Sequence, residues 1–331
     1  LETYTPLKKF DLVGFSLQYE LCYTNVLNML NLSEIPIMSS ERGETDPLII
    51  AGGPCAISPE AVADFIDIFL VGDGEESLPQ LVELLKDMKS RKLSRKEKIV
   101  SIAQTLRNAY APSLYEVSYY QDNTIREIHP KISGLPSLIR SASVKDLNKT
   151  YYPTKPIVPY VKTIHDRITI EVMRGCTQGC RFCQAGMSKR PTRPRTVENV
   201  LKLAELSYAN TGHNEISLAS LSISDYPFLK RLMEQMNQVF VPRHVNISFP
   251  SLRVNEQLVL LPSMLNTVRK SGLTLAPEAA TPNLRKIINK NITDEDLYKG
   301  IEEAFRQGWN LVKLYFMVGL PTETDDDIDA I

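Results

Sequence analysis

Five cysteines in 331 residues are too few for a disulfide-stapled fold, and their sparse use fits a reducing cytoplasm. No apolar run reaches the roughly 18–20 residues needed to span a bilayer. The start of the chain carries no charged-then-apolar leader. The formal net charge is −1, so no global basic field announces nucleic acid. Internal repeats and low-complexity tracts are missing as well. What remains is ordinary globular material, 43% hydrophobic and 23% charged, long enough for two domains. The chain begins at Leu1 and stops at Ile331 just as a helix begins, so it reads as a fragment.

Three of the five cysteines stand together in Arg174-Gly-Cys-Thr-Gln-Gly-Cys-Arg-Phe-Cys-Gln-Ala-Gly186, with Cys176, Cys180 and Cys183 spaced C-x3-C-x2-C. The preceding Arg167–Met173 alternates and is rich in β-branched residues, which predicts a strand. The cysteines therefore lie on the loop leaving a strand. Thiolates bind iron–sulfur clusters, and a cubane has four irons, so three thiolates leave one iron without a protein ligand. A structural zinc site needs a fourth Cys or His at short spacing, and the next histidine is His213. A plain electron-transfer cluster uses four cysteines.

At these residues the sequence resembles the radical S-adenosylmethionine (radical SAM) superfamily, whose hallmark is C-x3-C-x-aromatic-C after the first strand of a partial (β/α) barrel. Phe182 fills the aromatic position. The resemblance implies a 4Fe-4S cluster on Cys176, Cys180 and Cys183, with S-adenosylmethionine chelating the open iron. One electron from the reduced cluster then cleaves the sulfonium to methionine and a 5′-deoxyadenosyl radical. It further implies an external one-electron reductant of the flavodoxin or ferredoxin type.

The first 110 residues alternate apolar strands with helices, which predicts a Rossmann-like parallel sheet covered on both faces. Ligands bind such sheets outside the carboxyl ends of the strands, where Ser16, Gly52-Gly53 and Gly72 fall. This half is similar to the cobalamin-binding domain fused to some radical SAM enzymes. Ser16-Leu17 stands at its Ser-x-Leu element, one residue short, and Gly52-Gly53 at its Gly-Gly. The resemblance implies cobalamin against Ser16, Leu17, Gly52, Gly53 and Gly72. The Asp-x-His-x-x-Gly loop is absent, since the first histidine is His129. The alternative is a structural module whose glycines close turns, with Cys22 and Cys55 as buried small hydrophobes. Lys89, Arg91, Lys92, Arg95, Lys96 and Lys98 read as a solvated helix end and loop, with a phosphate-binding stripe as the alternative.

Residues 111–164 read as a hairpin and a proline-rich linker, and 165–331 as an incomplete (β/α)6 barrel with five of six strands. Further residues carry the superfamily resemblance. Glu278, in Ala276-Pro-Glu-Ala-Ala-Thr281, matches the fourth-strand element that contacts the ribose or amino-acid end of the cofactor. Gly319, in Gly-Leu-Pro-Thr-Glu-Thr324, matches the fifth-strand element near adenine. Arg253 is placed to pair with the cofactor carboxylate. The usual Gly-Gly-Glu after the second strand is replaced by Ala219-Ser220-Leu221-Ser222, so Ser220 or Ser222 substitutes for its contact to the amino group. The run Lys189, Arg190, Arg193, Arg195 reads as a charged loop, with an anionic substrate as the other option. The whole pattern is similar to a bacterial family joining a cobalamin-like domain to a radical SAM domain. It implies hydrogen abstraction from an unreactive C–H, followed by methyl transfer if cobalamin binds. The alternatives are an RNA-modifying methylthiotransferase, which usually carries three further upstream cysteines, and a non-catalytic zinc or iron–sulfur protein.

Overall fold

The structure, a computed structural model, describes residues 3–161, 163–248 and 273–331. The chain divides into two compact units, Leu1–Val144 and Lys145–Ile331.

In the first unit, the apolar runs become β1 (Leu12–Ser16), β2 (Leu48–Gly52) and β3 (Ile68–Leu70), paired parallel in that order. A fourth strand, β4 (Ala109–Tyr110), adds antiparallel to β3. It was not predicted, because two residues carry no periodicity to read. Among the described residues this unit has the α-helices α1 (Tyr23–Leu32), α2 (Gly74–Ser90) and α3 (Arg95–Thr105). After β2 the segment Pro59–Phe65 is 3-10 helix, broken at Val62, and the Ser58 side chain makes no cap bond. The predicted hairpin is present as β5 (Tyr115–Tyr119) and β6 (Ile125–Pro130).

Most of the basic run 89–98 is the expected solvated helix end and loop, with Lys89, Arg91, Lys92 and Lys96 exposed, and the structure corrects it at Arg95. Ser94 and Glu97 form a complete capping box, so α3 starts where a loop was expected. Arg95 is buried, and its Nη2 donates to Asp67 Oδ2 at 2.6 Å. The same oxygen accepts from Arg42 Nη1 at 3.2 Å and from the Ile49 amide at 2.7 Å. Asp67 immediately precedes β3, so this triad ties together the amino ends of the sheet.

The second unit opens with β7 (Ile168–Glu171) and β8 (Met173–Arg174), then α4 (Gln184–Ser188) and β9 (Arg193–Pro194). There follow α5 (Val197–Thr211), β10 (Glu215–Ala219), α6 (Leu229–Phe240) and β11 (Asn246–Ser248). After residues 249–272 come β12 (Leu273–Glu278), α7 (Pro282–Ile287), α8 (Asp294–Arg306), β13 (Val312–Phe316) and α9 (Asp325–Asp329). Parallel pairing joins β11, β10 and β7 in one sheet and β12 to β13 in another. Helix α6 buries Leu229, Leu232, Met233, Met236 and Phe240, a stripe at helical spacing that packs on the sheet. Each such side chain contributes about 1.5–3 kcal/mol by leaving water. Thr196 and Thr293 cap α5 and α8, so the strand-to-helix turns are set by local chemistry. Among the described residues no helix is long and apolar enough to cross a membrane.

Candidate metal centre

The cysteine loop is closed at its root by antiparallel pairing of β8 with β9. Gly175 makes that closure feasible. Its φ is +87°, and a Cβ there would stand 2.7 Å from the Lys189 carbonyl oxygen and 2.9 Å from that of Pro191. The arginines of the basic run act as fasteners, in place of the expected charged loop; Arg193 and Arg195 are buried and Arg190 is exposed. Arg190 Nε donates to the Gly186 carbonyl and its Nη2 to that of Gln178, both at 3.1 Å. Arg193 Nε donates to the Pro191 carbonyl at 3.0 Å. Arg195, only 1% exposed, donates to the carbonyls of Glu171 and Leu147 and to Asn199 Oδ1. Backbone carbonyls of a tight loop need donors, and a guanidinium carries five.

Cys176 is 9% exposed, while Cys180 and Cys183 are half-buried; all three are free thiols. Cys176 Sγ accepts from the Gln178 amide at 3.4 Å, and Cys183 Sγ accepts from the Gly186 amide at 3.2 Å. Burial pushes the Cys176 thiol up; the Gln178 N–H opposes this, and Asp225, Cys180 and Cys183 add to it. Among the described residues, no three His, Cys, Asp or Glu side chains close around a single metal ion. A cubane offers its irons at separate corners, so its thiolates stand further apart than the ligands of one ion. Amide hydrogens aimed at two sulfurs suit cluster thiolates, whose potential such bonds tune.

Two other loops meet this one. Gln178 Nε2 donates to Asp225 Oδ2 at 2.9 Å, which brings the turn after β10 against the thiols. On that turn the hydroxyls of Ser220 and Ser222 are buried and make no hydrogen bond among the described residues, with Ser222 only 4% exposed. Buried hydroxyls without partners cost about 1–3 kcal/mol and call for an explanation. A ligand with donors supplies one, so the residues here fit the cofactor's amino end. Nothing in the sequence singled out Asp225.

On the other side, Asn289 Nδ2 donates to the Gly179 carbonyl at 2.7 Å, and the Arg181 amide donates to the Ile288 carbonyl at 2.9 Å. Lys290 Nζ lies 3.5 Å from Glu278 Oε1 and 6.0 Å from the centre of the Phe182 ring. Glu278 and Phe182, taken separately from the sequence, are thereby joined through Lys290. Glu278 sits at φ +70°, and its carbonyl accepts from the Met317 amide at 2.9 Å. Gly319, at φ +91°, begins a turn held by Glu323 Oε2, which accepts from the amides of Gly319 at 2.5 Å and Leu320 at 3.3 Å. Arg253 lies outside the described residues.

In the first unit, Ser16 and Gly52 are register partners at the carboxyl ends of β1 and β2, and Ser16 Oγ accepts from Gln18 Nε2 at 2.7 Å. Leu17 is buried; its amide donates to the Gly52 carbonyl at 2.8 Å. A Cβ on Gly53 would stand 2.8 Å from the Leu17 carbonyl oxygen. Gly72 is covered by its own chain. A Cβ there would stand 2.3 Å from the Ala142 oxygen, and the Ala142 amide donates to the Val71 carbonyl. Close backbone packing therefore accounts for glycine at both 53 and 72. Cys55 is buried and shares a hydrogen bond with the Tyr23 phenol, which burial pushes up to about 12.

Residues 170–331 match the family described as the radical SAM superfamily, and residues 1–112 match the family described as the N-terminal part of radical SAM proteins. Residues 170–331 are a radical SAM domain. The chain is 29% identical to the uncharacterized protein MJ0966 of Methanocaldococcus jannaschii, over all of this chain and 64% of that one. It is 22% identical to the ribosomal protein uS12 methylthiotransferase RimO of Gloeothece citriformis, over 81% of this chain and 62% of that one. The chain thus spans less than two thirds of the length of either relative. In fold it is similar to the radical S-adenosylmethionine methyltransferase TsrM of Kitasatospora setae, solved with cobalamin and a 4Fe-4S cluster bound. The TM-score is 0.65 at 13% identity, covering 99% of this chain and 60% of that one. The radical SAM domain begins within β7, so the cysteine loop, Ser220, Glu278 and Gly319 all lie inside it.

Proposed function

We propose that this chain is the core of a radical SAM enzyme that activates an unreactive C–H, with a 4Fe-4S cluster on Cys176, Cys180 and Cys183. The observation that carries the reading is one short loop with three free thiols, two of them accepting backbone N–H bonds, tied through Gln178 and Asp225 to the turn that holds the buried Ser220 and Ser222 hydroxyls. One-electron cleavage of the S-adenosylmethionine sulfonium, and hydrogen abstraction by the fragment released, is the chemistry that the cluster and cofactor supply when bound. The chain's own residues do the positioning. Gly175 and the fastening arginines hold the thiols on one tight loop. The Ser220 and Ser222 hydroxyls accept from the cofactor's ammonium, Glu278 from its ribose, and the Gly319 turn lines the adenine side. The strands of this unit belong to a partial barrel whose carboxyl ends carry the site. An external flavodoxin- or ferredoxin-type protein provides the electron.

The test is anaerobic purification followed by dithionite and S-adenosylmethionine. A brown protein that yields 5′-deoxyadenosine supports the reading, as does its loss when serine replaces Cys176, Cys180 and Cys183. A colourless, zinc-loaded and inert protein sinks it.

Cobalamin-dependent methyl transfer is the finer form of this proposal. It is supported by the likeness of fold to TsrM and by Ser16, Leu17, Gly52 and Gly53 gathered at the carboxyl edge of the first sheet. Spectral titration of the chain with hydroxocobalamin tests it. Methylthiolation is the second reading, favoured by the likeness to RimO. Elsewhere than the cluster loop, only Cys22 and Cys55 are present as upstream thiols.

A further inference from the structure

Resting on the reading above, we propose that the turn Ile287–Lys290 is a latch between Glu278 and the cysteine loop, with Lys290 as a positioning residue that also raises the cluster's reduction potential. The turn grips the loop by its backbone and one side chain. The Arg181 amide donates to the Ile288 carbonyl, Arg181 Nη1 to that of Ile287, and Asn289 Nδ2 to that of Gly179. Asn289 adopts φ +55°, a conformation asparagine tolerates better than most residues. The next residue is thereby delivered to a fixed place, and its amide is anchored on the Arg285 carbonyl at 2.7 Å.

From that place the Lys290 ammonium serves two partners. The Glu278 carboxylate is at 3.5 Å, with the two side chains 13% and 16% exposed, so this is no solvated surface pair. The ring of Phe182, which lies between Cys180 and Cys183, is at 6.0 Å, the outer limit of a cation–π contact. Glu278 itself is held at a left-handed φ that disfavours side chains, so its direction depends on what surrounds it. One cation therefore fixes the carboxylate and leans on the loop that bears the thiols. A cation held against that loop favours arrival of one more electron on a cluster bound there, since an added negative charge is stabilised by a nearby positive one.

The experiment measures iron content and the cluster's midpoint potential in wild type, Lys290→Gln, Lys290→Arg, Glu278→Gln and the Glu278→Gln/Lys290→Gln double variant. Lys290→Gln should load iron yet reduce less readily, by about tenfold in the one-electron equilibrium, or about 59 mV more negative. Lys290→Arg should restore the wild-type value, because it keeps the cation. Glu278→Gln should shift the potential the other way, and the double variant should depart from the sum of the single effects. Should Lys290→Gln fail to load iron, Phe182→Leu gives the second measure, with a smaller shift of the same sign expected. An unshifted Lys290→Gln, an unshifted Phe182→Leu or strictly additive single effects would overturn the latch while leaving the radical SAM reading intact. A wild-type protein that binds no cluster would overturn both together.

Discussion

Asn289 donates its side-chain amide to the carbonyl of Gly179 at 2.7 Å, across 110 positions of sequence. That bond joins the turn after α7 to the middle of the cysteine loop, where Gly179 has no side chain to stand in the way. A Cβ on Gly179 would lie 2.8 Å from the same Asn289 nitrogen. The thiols are therefore held from outside their own loop, and several consequences can be measured.

Ser222→Ala should separate folding from binding. Its hydroxyl is buried without a partner among the described residues, so removing it leaves the melting temperature unchanged or slightly higher. If that oxygen serves the cofactor, S-adenosylmethionine binding should weaken about three- to tenfold, in keeping with one lost hydrogen bond. Equilibrium binding and a thermal melt on the same preparation decide the matter. Unchanged affinity removes Ser222 from the site.

Gly175→Ala should lose iron. The substitution combines a left-handed backbone with a carbonyl oxygen 2.7 Å away, at a cost of about 1–3 kcal/mol for the backbone alone. Gly212→Ala is the control, since Gly212 has φ +69° and no atom near its missing Cβ. Iron content should drop sharply in the first and stay near wild type in the second.

Asp67→Ala should unfold the first unit early. The carboxylate answers two guanidiniums and a backbone amide, and its loss leaves Arg42 and Arg95 buried without it. Breaking a buried pair in this way costs about 3–5 kcal/mol. Urea denaturation should show a lower midpoint, and Lys89→Ala, which removes an exposed pair with Asp11, should be nearly silent.

Acid should erase the contribution of Asp327. Its carboxyl is held below the usual range by the Thr281 hydroxyl first, then by the hydroxyl and amide of Thr324. A depressed folded value means the stabilisation is present above the unfolded value, about 3.9, and is lost as pH falls through the folded one. Asp327→Asn should therefore melt lower than wild type at neutral pH, with the gap closing below about pH 3.9. A gap that persists in acid would refute the linkage.

The site was readable where chemistry is local. The spacing of Cys176, Cys180 and Cys183 and the strand before them declare themselves within a few residues, while Glu278 stood out only through the family resemblance. The parallel sheet of the first unit was readable for the same reason, from the apolar runs of β1 to β3. What was not readable depends on distant partners. Arg95 looked like one charge in a basic run, yet its carboxylate is 28 positions away. Arg190, Arg193 and Arg195 looked solvated because their acceptors are backbone carbonyls, which every residue has and no pattern marks. Asp225 meets Gln178 across 47 positions, and β4 is too short to announce itself.

Arg195 carries one more implication. Its guanidinium reaches Leu147, Glu171 and Asn199 at once, while its own amide donates to the Val172 carbonyl at 2.8 Å. The stretch from Cys183 to Arg195 consequently has no slack. A surface loop absorbs an extra residue by bulging outward, but here one insertion would either drag the guanidinium off its three acceptors or twist the thiols out of alignment. Length, as much as composition, is what this segment encodes.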